Sequence, residues 1–133
     1  MGWSTGFTPM TDKQLLELAA KAAGIEVWPG TGLQAHMLFR RSDKPDVSGR
    51  VSGVEWNPLA DDGDALRLAV RLDMAMGYRA GHYIEAWAVS EHDGGVYRGV
   101  VSKDDDPYAA ARRAIVRAAA AMAQNSGPEE GDE

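Results

Sequence analysis

Hydrophobic residues recur at intervals of three and four in three parts of the chain, which is the spacing of amphipathic helices. The first predicted helix covers Asp12 to Ala23, which is rich in leucine and alanine, and Gly24 is expected to end it. The last predicted helix covers Pro107 to Gln124. Asp106 precedes it as an N-cap, proline stands at its first position, and alanine, the best helix former, dominates the remainder.

A further helix is predicted after the acidic sequence Asp61-Asp62-Gly63-Asp64. Its apolar face comprises Ala65, Leu68, Ala69, Leu72 and Met76. Gly77 is expected to end it. The carboxylates before it are expected to cap free amides and to complement the helix dipole.

Alternating apolar and polar residues predict strands between the first two helices. The strand from Leu33 to Phe39 is expected to bury Leu33, Ala35, Met37 and Phe39, with Arg50 to Trp56 as its partner. The segment from Arg41 to Gly49 is expected to be an exposed loop, and Ile25 to Trp28 is a candidate for a short additional strand. Trp56 and Trp87 are expected in the core, whereas Trp28 either anchors a partner or folds over the sheet edge.

A hairpin is predicted from His82 to Glu91 and from Val96 to Val101, with Asp93-Gly94 as a two-residue turn. That turn would place Trp87 opposite Val100, and Val89 opposite Arg98. Both faces of the hairpin are largely apolar, so helices are expected to cover both sides. The predicted fold is α+β: a three-layer α/β/α sandwich with a mostly antiparallel sheet between helices.

The composition fits one domain with two terminal additions. The chain has 133 residues and a net charge of -6, and it contains no cysteine. Residues 125–133 carry four acidic side chains and no apolar anchor, so an acidic disordered tail is expected there, and it accounts for most of the net charge. Residues 1–9 lack periodicity and are expected to form a flexible extension.

Three segments resemble the phage ABA sandwich domain proteins of bacteriophages and prophages. They are residues 10–24 (MTDKQLLELAAKAAG), 56–70 (WNPLADDGDALRLAV) and 106–120 (DPYAAARRAIVRAAA). The resemblance implies a three-layer sandwich over residues 10–124 and a phage or prophage origin, and it brings no catalytic residues with it. The chain departs from the family in having nine residues before Met10.

No catalytic, cofactor-binding or metal-binding residues are predicted. Asp61, Asp62 and Asp64 could hold Ca²⁺ or Mg²⁺, but the residues that follow lack the ligand spacing of an EF-hand, which leaves helix capping as the preferred interpretation. His82 and His92 stand ten residues apart on one predicted strand, too far apart to share a metal. A hydrolase that uses the acidic cluster as a metal site stays a third hypothesis.

Two basic segments are candidates for partner contact. Arg40, Arg41 and Lys44 belong to the predicted loop, which is either a plain connection or a contact site for a protein partner. Arg112, Arg113 and Arg117 form a basic strip on the last helix, either as a solvated face or as a nucleic-acid contact.

The leading hypothesis is a non-enzymatic phage or prophage accessory protein. It would act through protein–protein contacts in the host cytoplasm and could antagonise a host defence system. The alternative is a nucleic-acid-binding module that uses the basic strip and the 40–48 loop, although the net charge of -6 disfavours it. No membrane association and no cofactor are expected, and the oligomeric state and the partner's identity stay open.

Overall fold

The computed structural model describes residues 10–42, 45, 47–49, 53–79, 82–91, 93–102 and 106–126. The predicted extension 1–9 and residues 127–133 of the predicted tail lie outside these ranges. Within them the helices are α1 (Asp12–Ala23), α2 (Asp62–Arg71) and α3 (Pro107–Ser126). The strands are β1 (Val27–Pro29), β2 (Leu38–Arg41), β3 (Gly53–Glu55), β4 (Ala75–Arg79), β5 (Tyr83–Val89) and β6 (Val96–Ser102).

The strands form two antiparallel sheets of three strands, ordered β1-β2-β3 and β4-β5-β6. The α+β class is therefore confirmed, with two small sheets in place of one. The core consists mainly of alanine from α1 and α3 together with a few larger residues, among which Leu38, Trp56, Leu68 and Ile84 are fully buried. Trp56 is thus a core residue, as predicted.

Helix α3 packs directly on the inner face of the second sheet, against β5 and β6. This face carries Ile84, Ala86, Ala88 and Gly99, all buried. A Cβ atom at Gly99 would lie 2.1 Å from the Ala114 carbonyl oxygen, so the helix backbone almost touches the strand. The small residues of both elements permit this approach, as the sequence predicts.

The end of α1 and the start of α3 follow the predicted residues Gly24 and Asp106, and α1 starts with a capping box that was not predicted. Thr11 and Gln14 form a reciprocal capping box at the start of α1, and Gly24 ends this helix in the left-handed conformation, with φ of 71°. Asp106 Oδ1 accepts hydrogen bonds from the backbone amides of Tyr108 and Ala109 at 3.0 and 3.1 Å. Helix α3 continues through Asn125 and Ser126, so the predicted tail boundary at residue 125 is two residues too early.

The Asp106→Ala variant should lower the free energy of unfolding by about 1 kcal/mol, because two amides in the first turn of α3 lose their acceptor. Asp106→Asn, which keeps a side-chain oxygen at the same position, should retain most of that stability. Urea denaturation of the three proteins measures both effects. Equal losses in the two variants would mean that charge, and not the capping hydrogen bonds, is what stabilises the helix start.

The predicted end of α2 at Gly77 is wrong, because the helix stops at Arg71. Asp73 adopts the left-handed conformation, with φ of 54°. Its amide donates to the Val70 carbonyl oxygen, and the Met74 amide donates to the Ala69 carbonyl oxygen. These two hydrogen bonds form a Schellman motif with aspartate in the position that glycine usually takes. Met76 and Gly77 consequently belong to strand β4.

The predicted strand from Leu33 to Phe39 is also shifted. Residues Gly32–Gln34 form a 3-10 helix, and Leu33 is 96% exposed. Strand β2 starts at Leu38, which is buried, so the buried face has the opposite phase to the predicted one. The pairing with the later strand is confirmed over Gly53–Glu55, and the additional strand is present as Val27–Pro29.

The hairpin forms, but its predicted register is wrong by two residues. Val89 pairs with Val96, and Trp87 pairs with Arg98. The Ser90 amide donates to the Gly95 carbonyl oxygen, and the Gly94 amide donates to the Ser90 carbonyl oxygen, both at 2.8 Å. These hydrogen bonds close a four-residue loop between Ser90 and Gly95. The predicted two-residue turn would need left-handed conformations at both central residues, yet of Asp93 and Gly94 only Gly94 has a positive φ.

A shift of two residues leaves every side chain on its predicted face, yet the two faces differ in burial. The inner face of β5 and β6 lies under α3, whereas Val89, Val96 and Val100 are exposed on the outer face. The expected cover of helices on both sides is therefore not shown. Trp87, expected in the core, is half-buried on the outer face, where its ring lies beside Gly77.

Candidate functional site

A groove of about 650 Å³ lies between helix α2, strand β2 and the two residues that precede β1. Its lining combines aliphatic side chains with four arginines and one glutamate: Ile25, Glu26, Arg40, Arg41, Trp56, Leu66, Arg67, Leu68, Val70 and Arg71. A volume of this size is typical of binding sites that enclose a few side chains or a small ligand. The groove therefore brings the predicted contact residues of β2 together with one face of α2.

Helix α2 exposes apolar side chains on the side that faces the groove. Leu66 is 64% exposed and Val70 is 66% exposed, and the spacing of four residues places them on adjacent turns. Ala65, Leu68 and Ala69 fill the core side of the same helix. The helix is thus apolar on two sides, and only one of them is covered within the described part of the chain.

The arginines give the groove a positive charge in a negative chain. Four arginines and Glu26 line the groove, and Asp64, which pairs with Arg67, lowers the sum of these charges to +2, against -6 for the whole chain. Arg67 Nη2 lies 2.8 Å from Asp64 Oδ1, and Arg71 Nε donates to the Ala23 carbonyl oxygen at 2.6 Å. These contacts hold the two α2 guanidinium groups close to the groove wall.

The predicted contact residues Arg40 and Arg41 lie in strand β2 and not in the predicted loop. Arg40 Nη1 donates to the Arg41 carbonyl oxygen at 3.0 Å, and both residues line the groove. Arg41 is exposed. Lys44 lies outside the described residues. Leu66 and Val70 are absent from the predicted site, although an apolar pair spaced by four on the polar side of a predicted helix is a signal that the sequence contains.

The arginines of the basic strip on α3 contact other parts of the chain, and of the three Arg117 is exposed. Arg112 Nη1 lies 2.6 Å from Asp62 Oδ1, and its Nε donates to the Leu59 carbonyl oxygen at 2.8 Å. Arg113 pairs with Asp12 at 3.2 Å, and Arg117 Nη1 donates to the Val100 carbonyl oxygen at 3.2 Å. Each of the three arginines therefore joins α3 to a different neighbouring segment.

The helix-capping interpretation of the acidic cluster is confirmed. Asp61 Oδ2 accepts a hydrogen bond from the amide of Asp64 at 2.8 Å. The carboxylate of Asp64 is buried and accepts from the amide of Asn57 at 2.9 Å as well as from Arg67. These carboxylates thus bind backbone amides and arginines that fix the start of α2. Among the residues that the structure describes, no three His, Asp or Glu side chains are grouped so that they could hold a metal ion.

The remaining candidate side chains are dispersed. His36 and His82 are exposed, and His92 lies outside the described residues. Trp28 is 41% exposed, and its ring extends across the first sheet to Gly53, where an added Cβ would lie 2.9 Å from it. Of the two interpretations of Trp28, this position favours the one in which it folds over the sheet.

Comparisons with known proteins provide no relative. No family model matches the chain, and no match was found among curated proteins or among solved structures. The resemblance to the phage family consequently stays a prediction. In the described part of the chain, none of the helices combines the length and apolar character that crossing a membrane requires.

Proposed function

We propose that this chain is a non-enzymatic phage or prophage accessory protein that acts through protein–protein contacts in the host cytoplasm. The observation that carries the binding part of the proposal is the groove beside α2, where exposed Leu66 and Val70 lie among arginines. The phage origin, the host setting and the three-layer sandwich rest on the resemblance of residues 10–24, 56–70 and 106–120 to the phage ABA sandwich family. Antagonism of a host defence system is the purpose we propose within that setting.

The groove has the composition of a protein contact. Arginine is enriched at interfaces because its guanidinium group donates several hydrogen bonds and its stem packs on apolar surface. Leu66 and Val70 leave apolar area in water, and a partner that covers this area gains about 25 cal/mol per Å². Arg41 adds a cationic group whose exposed position allows it to meet a partner.

The non-enzymatic part of the proposal is supported by the roles of the acidic residues. The carboxylates of Asp61 and Asp64 accept hydrogen bonds from backbone amides at the start of α2, and Asp62 pairs with Arg112. Each therefore has a structural task that requires no substrate. The third hypothesis, a metal-dependent hydrolase built on this cluster, is correspondingly less favoured than binding.

The contacts of α3 also favour a protein partner over nucleic acid. A phosphate-binding strip needs arginines that can turn towards the backbone of DNA or RNA. Arg112 and Arg113 are instead held by Asp62 and Asp12, and Arg117 donates to a carbonyl group of β6. Affinity for duplex or single-stranded DNA at low salt that falls steeply as salt rises would favour the alternative.

Substitutions in the groove should abolish partner binding without unfolding the protein. Leu66→Asp places a charge in the apolar part of the groove, and Arg41→Gln removes an exposed cation, so each should reduce recovery of the partner at least about tenfold. Both side chains are exposed, so thermal stability should change little. The measurement is affinity capture from host lysate with quantitative mass spectrometry. Arg40, Arg41 and Lys44 replaced together by alanine should have the same effect.

Matched controls separate a groove effect from a general surface effect. Leu33→Asp makes the same chemical change at an apolar residue that is 96% exposed and does not line the groove. Lys21→Gln removes a cation from the exposed side of α1. The controls should capture the partner as the unmodified chain does. A partner that is retained by both groove variants would contradict the proposed site.

A further inference from the structure

We infer that the groove beside α2 binds a short acidic segment of a partner protein, and that this segment inserts aliphatic or aromatic side chains between its charged residues. The inference rests on the proposed function, and it specifies the chemistry of the partner. It follows from three properties of the groove: its charge, the chemistry of its apolar lining and its size.

The charge of the groove selects an acidic partner. The groove arginines, Glu26 and Asp64 together carry +2 although the chain as a whole carries -6, so the positive potential is local to the groove. An acidic segment is attracted electrostatically to this groove and is repelled by the negative charge of the chain as a whole. The segment is therefore expected to dock at the groove. Arg41 comes from β2 and Arg71 from α2, and both are exposed, so carboxylates can meet a guanidinium group on each side of the groove.

The apolar lining of the groove indicates that the partner segment also carries apolar side chains. Ile25, Leu66 and Val70 are aliphatic and at least partly exposed, so they can cover apolar side chains of a segment that lies between the arginines. A purely acidic peptide would leave this lining in water. The expected segment therefore alternates acidic residues with leucine, isoleucine, methionine or phenylalanine.

The same lining disfavours nucleic acid as the occupant. Single-stranded nucleic acids gain much of their affinity by stacking bases on exposed aromatic rings. The one aromatic residue that lines the groove is Trp56, which is 2% exposed and therefore cannot offer its ring to a base. Aliphatic side chains beside guanidinium groups fit an acidic, apolar peptide better than a polynucleotide.

The size of the groove limits the contact to a few residues. A volume of about 650 Å³ holds a small number of side chains. A short segment that lies along α2 satisfies this limit. Because α2 presents Leu66 and Val70 on adjacent turns, two apolar side chains of the segment are expected to contact it.

Selection from a library of random twelve-residue peptides tests the inference on the full chain. The library is selected against the unmodified protein and, in parallel, against Leu66→Asp and Leu33→Asp. Peptides enriched on the unmodified protein and on the Leu33→Asp control should carry about two or more net negative charges together with apolar residues. They should lose at least about tenfold in affinity on Leu66→Asp, and their affinity should fall as salt rises from about 50 to 300 mM. Amide NMR shifts upon peptide addition should concentrate in α2 and β2.

The outcomes distinguish this inference from the proposed function. Neutral or basic peptides that shift the α2 and β2 amides would overturn the acidic partner and leave protein binding at the groove intact. Enriched peptides that shift other amides, or that bind Leu66→Asp unchanged, would overturn the groove as the docking site. Failure to enrich any peptide on the unmodified protein would overturn the inference, whereas retention of the host partner by both Leu66→Asp and Arg41→Gln would overturn the proposed function.

Discussion

Replacing Gly99 with alanine is expected to lower the free energy of unfolding by about 3 kcal/mol, a large change for one methyl group. The added Cβ would lie 2.1 Å from the Ala114 carbonyl oxygen and 2.8 Å from the Ala118 amide nitrogen. Both atoms belong to the backbone of α3, so neither can rotate away as a side chain could. The helix must move off the strand, which opens the alanine-rich contact along its whole length.

Gly77→Ala is the matched control for this substitution. Gly77 lies in β4 of the same sheet, and the atoms nearest to an added Cβ belong to the Trp87 ring, at 3.4 and 3.6 Å. These are ordinary van der Waals distances, so Gly77→Ala should change stability by less than about 1 kcal/mol. Urea denaturation of both variants measures the difference. Equal stabilities would mean that α3 does not approach β6 as closely as the structure has it.

The elements that the sequence predicts correctly are those whose limits depend on local chemistry. Gly24 and Asp106 act on amides and carbonyl groups within one turn of themselves, so the ends they impose can be read from adjacent residues. The end of α2 could not be predicted in this way. Asp73 takes a conformation that glycine usually supplies, and Gly77, the expected end, is a strand residue.

The strands illustrate a second limit of sequence analysis. Alternation predicts which residues share a face, but the closure of a turn decides the register. For the hairpin, the faces are correct and the pairing is two residues off, because the loop closes between Ser90 and Gly95 and not within Asp93-Gly94. For β2, the alternation before Leu38 belongs to a 3-10 helix and its flanking turns, so the predicted face has the wrong phase.

The candidate site could be predicted only in part, because its two sides come from separate segments. Arg40 and Arg41 are recognisable as basic residues near a loop, whereas their proximity to Leu66 and Val70 depends on how α2 packs beside the first sheet. The roles of Arg112 and Arg113 depend on the same kind of information. Their partners Asp62 and Asp12 lie 50 and 101 residues away along the chain. No local sequence pattern therefore distinguishes arginines that form such ion pairs from arginines of an unpaired basic surface.

The Ala118→Glu variant is expected to prevent cooperative folding or to cost at least about 4 kcal/mol, because it places a carboxylate where the structure has no access to water. Ala118 is 0% exposed and its backbone nitrogen lies beside Gly99 of β6, so a longer, charged side chain there has no adjacent solvent to reach. Circular dichroism melts and urea denaturation measure the loss.

Tyr108→Glu is the control on the same helix. Tyr108 is 71% exposed. Its position in the first turn places a new carboxylate near the positive end of the helix dipole, so Tyr108→Glu should melt at or slightly above the temperature of the unmodified chain. A cooperatively folded Ala118→Glu protein, or a Tyr108→Glu protein that fails to fold, would mean that α3 presents the opposite side to the sheet. The difference between the two variants thus measures directly which side of α3 the core covers.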